Sequence, residues 1–517
     1  MAKNTVLDAL IPREDFEIQD ETGGTTRNVA TIGARDLEKT AFFYAALRKP
    51  DFQRETNEWN AKRIASLVES FISGELIPAV ILWRSPSSFT FVIDGAHRLS
   101  ALCAWINNDY GDGDVSKIFF DGIIPEEQLL LAEKTRVAIR KEIGLFSDYQ
   151  LALTHPDKVP PEIVERAKSM GALAIQVQWV EGNAQNAESS FFKINQQAAA
   201  IDKTELKLLQ SRRKPNGIAT RAILRSGKGH KYWSSYKQEI QEEIQSLSSE
   251  INEVIFQPPL KSPIKTLDLP LGGKNLSSQG QSLVLELVNK SNNINKSEEL
   301  DDDSDGSKTV KYLKNCLRVV RRINSIHPSS LGLHPAIYFY SKEGKHKPAS
   351  FWAAIEFVRQ LEQLRLFNDF TDVRESFESF LMKYDYLIQQ IVRKYRSAAA
   401  SYPNIAKLYL AIVESLASGT TLADLPKRLK ENKDFTYLVL GDSGGGEISS
   451  PDFTSERKTT IFFREALQNS VKCAICNGLL HKHSITIDHI ERKQDGGLGA
   501  VNNGQLSHPY CNTTYKN

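Results

Sequence analysis

The five cysteines are spread unevenly over 517 residues. Cys473-Ala474-Ile475-Cys476 is a CxxC, and 32 residues after Cys476 comes His508-Pro509-Tyr510-Cys511, an HxxC. Three thiolates and an imidazole make a tetrahedral Zn²⁺ set, and the two-residue spacing lets each pair share one turn. His481 and His483 lie nearer the first pair; they read as surface residues, though either could replace His508. Asp488-His489, Gly496-Gly497 and Asn503 stand between the pairs, and Asn512 follows the last cysteine. A neutral imidazole with a pKa near ~6.5 can take a proton from water at cellular pH. Far upstream, Asp94-Gly95-Ala96-His97-Arg98 sits where a strand pattern turns helical. Backbone N–H groups at a helix start favour an anion, and Arg98 can add a two-pronged clamp on a phosphate.

The C-terminal frame resembles the HNH endonuclease family in its zinc-knuckle, McrA-like form. Gly496 lies seven positions after His489, Asn503 six after Gly497, and His508 five after Asn503. His508 replaces the commoner cysteine, and Glu491-Arg492 replaces an apolar-Pro pair. The resemblance covers about residues 470–517. It implies a phosphodiester hydrolase with His489 as general base, Asp488 and Asn512 holding one Mg²⁺ or Mn²⁺, and Asn503 orienting the His489 loop or ring. Structural Zn²⁺ would sit on Cys473, Cys476, His508 and Cys511.

A second set of motifs runs through the first 210 residues. Gln53-Arg54 and Trp59 precede a helix, Asp94–Arg98 follows two strands, and Phe191-Phe192-Lys193-Ile194-Asn195 comes before Glu205-Leu206. This order resembles the ParB/sulfiredoxin-like domain of GmrSD-type modification-dependent restriction systems and their DGQHR relatives. The resemblance implies a nucleoside triphosphate site at Asp94, Gly95, His97 and Arg98, with Gln53 and Arg54 nearby. Ala96 stands where the family has Gln, so binding is the firmer expectation and NTPase activity stays open. Asn195 reads as a structural brace and Cys103 as packing.

The elements that must position these residues follow from periodicity. Ile64, Leu67, Val68, Phe71 and Ile72 repeat at helical spacing; Ala79–Trp83 and Phe89–Ile93 read as paired strands, and Ile175–Val180 as a third. From Val310 to about Arg428 the pattern is helical, while 289–307 has almost nothing apolar and reads as a linker or mobile loop. Gly441–Ser450 reads as a flexible joint. The expected organisation is multidomain. It comprises an arm (1–40), an α+β ParB/sulfiredoxin-like domain (41–235), a mainly helical region (236–440) and a ββα-metal HNH domain (452–517).

Net charge is only +2, from 65 basic and 63 acidic residues, so the average says nothing about nucleic acid. The distribution does. Residues 202–237 hold ten Lys/Arg against two acids, with Tyr232, Trp233 and Tyr236 interleaved. Arg212, Arg213, Lys214, Arg221, Arg225, Lys228 and Lys231 are therefore candidate phosphate contacts. Lys311, Lys314, Arg318 and Arg321 form a second basic face. The module from 451 to 517 has eight Lys/Arg against six acids and should depend on other regions for grip. Apolar runs fall short of the ~18 residues of a membrane span, and sparse cysteine fits a reducing cytoplasm.

These readings converge on a cytoplasmic, metal-dependent endonuclease of restriction or anti-phage type acting on double-stranded DNA, with modified or phage DNA as candidate targets. A nucleotide-binding sensor would control it, and a homo-oligomer is left open. Two alternatives remain: a DNA-binding regulator with a structural zinc module, and a homing-type HNH enzyme without nucleotide control.

Overall fold

The computed structural model describes residues 5–14, 28–50, 53, 59–86, 88–120, 122, 124, 126–197, 203–228, 231–275, 278–441 and 452–516. The chain divides into two units, Met1–Leu209 with Lys228–Tyr232 and Gln210–Gly227 with Trp233–Asn517. Arg54 and the joint 442–450 lie outside the described residues. No helix among the described residues is long and apolar enough to cross a membrane.

The first unit is built on a six-stranded mixed sheet. Its strands are β1 (Arg13–Glu14), β2 (Thr31–Gly33), β3 (Leu47–Pro50), β4 (Val80–Arg84), β5 (Thr90–Asp94) and β6 (Ala174–Trp179), in the order β1-β3-β5-β4-β6-β2. β4 and β5 pair antiparallel, with Leu82 opposite Val92; β3 runs parallel to β5 and β6 parallel to β4. Successive side chains on a strand point to opposite faces, and here both faces are covered. Val80, Leu82 and Val92 enter the large core beside α1 (Ala61–Ile72) and α2 (Ala96–Ile106). Trp83, Phe91 and Ile93 enter a smaller core with Ala187 and Phe191 of α3 (Ala184–Gln197). That explains why β5 reads as a continuous apolar run rather than an alternation. Residues 1–40 were expected as an arm or cap. They supply the two outermost strands, and Leu7, Leu10 and Ile11 are core.

The second unit is helical before its last module. α4 (Pro215–Leu224), α5 (Gln238–Phe256), α6 (Ser278–Ser291) and α7 (Ser307–Ile323) pack together, followed by α8 (Pro348–Leu364), α9 (Arg374–Lys383) and α10 (Ala398–Ala417). Val310, Leu313, Leu317 and Val320 are buried, as the spacing on α7 requires. The acid-rich segment 289–307, expected as a linker or mobile loop, is anchored to the fold. The buried Asp303 carboxylate accepts from the N–H and hydroxyl of Thr309 at 2.7 and 2.6 Å, and its own N–H donates to the Arg213 carbonyl. One carboxylate at a helix start satisfies otherwise unpaired donors, which the low apolar content of the segment does not reveal.

After α11 (Ser455–Gln468), β7 (Thr486–His489) and β8 (Gly504–Ser507) pair antiparallel, with His489 opposite Gly504. The helix of the expected ββα arrangement is a five-residue π-helical turn, Cys511–Tyr515.

Candidate functional site

The four residues of the paired knuckles come together. Sγ of Cys473, Cys476 and Cys511 and a ring nitrogen of His508 all lie within 4.8 Å of one another, and all four residues are buried. Two turns make this set: Cys473 N–H donates to the Gly478 carbonyl, and Asn512 N–H to that of His508. His508 Nε2 faces the Leu479 carbonyl at 3.2 Å, so it carries the proton there. Nδ1 then faces Cys476 Sγ at 3.4 Å and Cys511 Sγ at 3.9 Å. Hydrogen bonds from Cys476 and Cys511 hold the Cys473 thiol far below its ordinary value; sharing with Cys473 pushes Cys476 up to about 12. The donor set fits Zn²⁺.

The cluster is braced from α9. Arg374 is only 2% exposed. Its guanidinium donates to the carbonyls of Leu331 and Gly332, pairs with Glu378 at 2.8 Å and approaches His508 Nδ1 at 3.3 Å. Burial alone would lower its pKa, but Glu378 and the nearby Cys476 and Cys511 outweigh that and keep it charged. Glu378 also accepts from the Leu479 N–H at 2.8 Å. Three cysteines bound as thiolates would exceed the charge of one Zn²⁺, and Arg374 beside them would offset the excess. Gly332 has φ +62°, and a Cβ there would stand 2.5 Å from His508 Cδ2, so no side chain fits. Two charges four residues apart on a helix ordinarily read as a surface pair, so the sequence does not point to Arg374 and Glu378. His481, read as a surface residue, is buried against His334, and burial lowers its pKa to about 3; its Nδ1 bonds to Asn324 at 3.1 Å.

Asp488 and His489 end β7. Asp488 is buried, and its Oδ2 receives hydrogen bonds from Gln505 Nε2 and Lys516 Nζ, each at 2.7 Å. His489 is partly exposed, and its ring makes no hydrogen bond among the described residues. Asn503 braces the following loop, accepting from Glu491 N–H at 2.8 Å and donating to the carbonyls of Glu491 and Leu498. Its hydrogen bonds go to the loop, with none to the His489 ring among the described residues. Asn512 Nδ2 donates to Thr486 Oγ1 and the Ile487 carbonyl, beside Asp488 on the same strand. A carboxylate and a side-chain amide oxygen are hard donors of the kind Mg²⁺ or Mn²⁺ takes, and Oδ2 of this carboxylate is held by Gln505 and Lys516.

In the first unit, Gln53, Trp59, Ile93, Asp94, Gly95, Ala96, His97, Arg98 and Phe191 line one cavity of about 110 Å³. Gly95 makes it possible: its φ is +98°, and a Cβ would stand 2.7 Å from Val80 Cγ1. The turn aims the N-terminus of α2 at the cavity. Trp59 stacks on His97 with ring centroids 5.8 Å apart. Arg98 Nη2 bonds to Asp94 at 2.8 Å and to the Ala79 carbonyl at 3.1 Å, so that edge is engaged within the protein. Gln53 Oε1 and Arg98 Nε are buried without a partner among the described residues. An unmet N–H donor such as Arg98 Nε at a helix N-terminus fits a phosphate, whereas Gln53 Oε1 is an acceptor and calls for a donor. Cys103 is buried in α2 and is packing.

The basic stretch does not form one open face. Of its seven candidates only Arg213 is exposed; Arg221 is buried, and Arg212, Lys214, Arg225, Lys228 and Lys231 are half-buried. Lys214 Nζ donates to the carbonyls of Ser297, Glu298 and Leu300 at 3.2, 2.9 and 2.7 Å. Trp233 and Tyr236 are core residues. Lys214 is thus engaged on carbonyls of the fold, and Arg221 is buried. On α7, Lys314 pairs with Glu243 at 2.7 Å, and Arg321 pairs with Glu250.

A β-hairpin carrying an Asp-His pair above a Cys₃His cluster defines a nuclease module of the HNH type. The family model for the HNH endonuclease matches residues 473–517, and that for the GmrSD restriction endonuclease N-terminal domain matches residues 37–327. The latter spans more than half of the chain, and the protein belongs to the GmrSD restriction endonuclease N-terminal domain family. It is a restriction-type nuclease with an HNH domain at its C-terminal end. The match continues past the sheet through α7, beyond the 45–210 span in which the motifs were read. No curated protein and no solved structure matches.

Proposed function

We propose that the chain is a DNA endonuclease of the anti-phage restriction type, in which a nucleoside triphosphate bound at the Asp94–Arg98 cavity of a ParB/sulfiredoxin-like domain controls phosphodiester cleavage by the HNH module. The observation that carries the nuclease part is the placing of Asp488, His489 and Asn503 on one hairpin whose base is the Cys₃His cluster. His489 takes a proton from the attacking water. Asp488 and Asn512 hold a divalent cation, which when bound supplies positive charge against the charge developing on phosphate. Asn503 keeps the loop after His489 in place, and the zinc cluster holds the base of the hairpin.

Support for nucleotide control comes from the convergence of the motif residues on one cavity, where the buried Arg98 Nε is an unmet donor among the described residues. At about 110 Å³ the described walls enclose less than the roughly 300 Å³ of a small-molecule site, which suits the phosphates rather than the whole nucleotide. A cleavage assay tests both parts, using modified and unmodified phage DNA in Mg²⁺ or Mn²⁺, with and without each triphosphate. Cleavage that requires a triphosphate is expected. Cleavage indifferent to every triphosphate overturns the sensor role and favours the homing-type alternative; no cleavage under any condition favours the regulator.

A further inference from the structure

The carboxylate of Asp488 already has a cation. Lys516 Nζ lies 2.7 Å from Asp488 Oδ2 and also donates to the carbonyl of His489. The side chains are 6% exposed for Asp488 and 18% for Lys516, so water compensates neither charge well. The tail that carries the lysine is itself fixed. Arg492 donates to the Lys516 carbonyl, and the Tyr515 hydroxyl donates to Asp372 of the helical region. Gln505 donates to the same Asp488 oxygen from β8. The ammonium thus bridges a carboxylate and a backbone carbonyl, two oxygens of the kind a hard divalent ion takes. One carboxylate oxygen that already holds an ammonium and an amide has little room or charge left for a second cation.

We propose that Lys516 is the resident counter-ion of Asp488 and competes with the divalent cation for it, thereby setting the metal concentration at which the nuclease becomes active. This rests on the reading of Asp488 as a metal ligand. The physical reason for such a device is stability without metal. A buried carboxylate with no counter-charge would weaken the hairpin, whereas a lysine on a flexible four-carbon stem can hold it and still swing away. The residue thereby acts through Asp488, and its effect lies in metal affinity before it lies in rate.

The test is Mn²⁺ binding to the full-length, zinc-loaded protein without DNA, followed by electron paramagnetic resonance, with zinc content and thermal unfolding as checks on the fold. If the lysine holds the carboxylate for about nine-tenths of the time, Lys516→Met tightens Mn²⁺ binding about tenfold. The Mn²⁺ concentration for half-maximal cleavage falls in parallel. Lys516→Gln, which keeps a donor but no charge, takes the place of Lys516→Met should that variant lose zinc, and is expected to tighten binding in the same direction. Unchanged or weaker Mn²⁺ binding in a folded, zinc-loaded variant overturns the competition. Asp488→Asn separates the two levels. If it abolishes Mn²⁺ binding while the Lys516 variants do not tighten it, only the competition falls. If it leaves Mn²⁺ binding unaltered, the metal-ligand reading falls and the competition with it.

Discussion

The cavity of the first unit and the metal module of the second gather their motif residues in opposite ways. Around the cavity, one short run from Asp94 to Arg98 supplies most of the walls, and its charged groups neutralise each other, Arg98 on Asp94 at 2.8 Å. In the metal module the motif residues form layers. The Cys₃His cluster lies inside, Asp488 and His489 lie on the strand above it, and their counter-charges come from residues outside the motif, Arg374 and Lys516. The difference teaches where a substitution should act. A motif that neutralises itself can lose one member locally, whereas a layered site transmits the loss of one layer to the next.

The sharpest way to break the comparison is at the innermost layer. Cys476→Ser should remove zinc, unfold the module and abolish cleavage, since structural zinc contributes on the order of 10 kcal/mol to such folds. Elemental analysis with limited proteolysis checks it; a folded, zinc-free wild type would mean the cluster is not a zinc site. The next layer outward is Arg374. Arg374→Met leaves Glu378 buried without its partner and should cost ~3–5 kcal/mol, read as a lower unfolding temperature together with faster zinc loss to a chelator. An effect on temperature without any on zinc loss would separate α9 from the metal cluster.

His489→Ala should lower the cleavage rate by ~10²–10⁴, a barrier increase of ~3–5 kcal/mol, with folding, zinc and DNA affinity retained. Loss of zinc in this variant would make His489 part of the fold. For the cavity, Arg98→Ala should weaken triphosphate binding by roughly 10- to 150-fold, about 1.5–3 kcal/mol, and leave zinc content and unfolding of the second unit unchanged. Calorimetry decides, and unaltered binding would remove Arg98 from the site. The smallest effect concerns the basic stretch. Lys214→Met should cost about 1 kcal/mol of stability through its lost carbonyl contacts and leave the salt dependence of DNA binding unchanged. A flatter salt dependence would return Lys214 to the phosphate contacts.

Spacing alone made the Cys₃His set legible, because two residues between paired side chains is the geometry of one turn whatever the rest of the chain does. The same holds for the Asp-Gly turn before α2, where only glycine tolerates φ +98° beside Val80. Both are local rules, and a sequence states local rules directly. What the tertiary structure decided is which charges are neutralised and by whom. Ten basic residues between 202 and 237 look like a surface in the sequence, yet Lys214 lies on three carbonyls and Arg221 is buried. Nothing in the spacing of Arg374, 134 residues from His508, announces that it meets the Cys₃His cluster. A charge finds its partner through packing and desolvation at close range in space. That distance is set by how helices and strands stack, which no periodicity along the chain encodes.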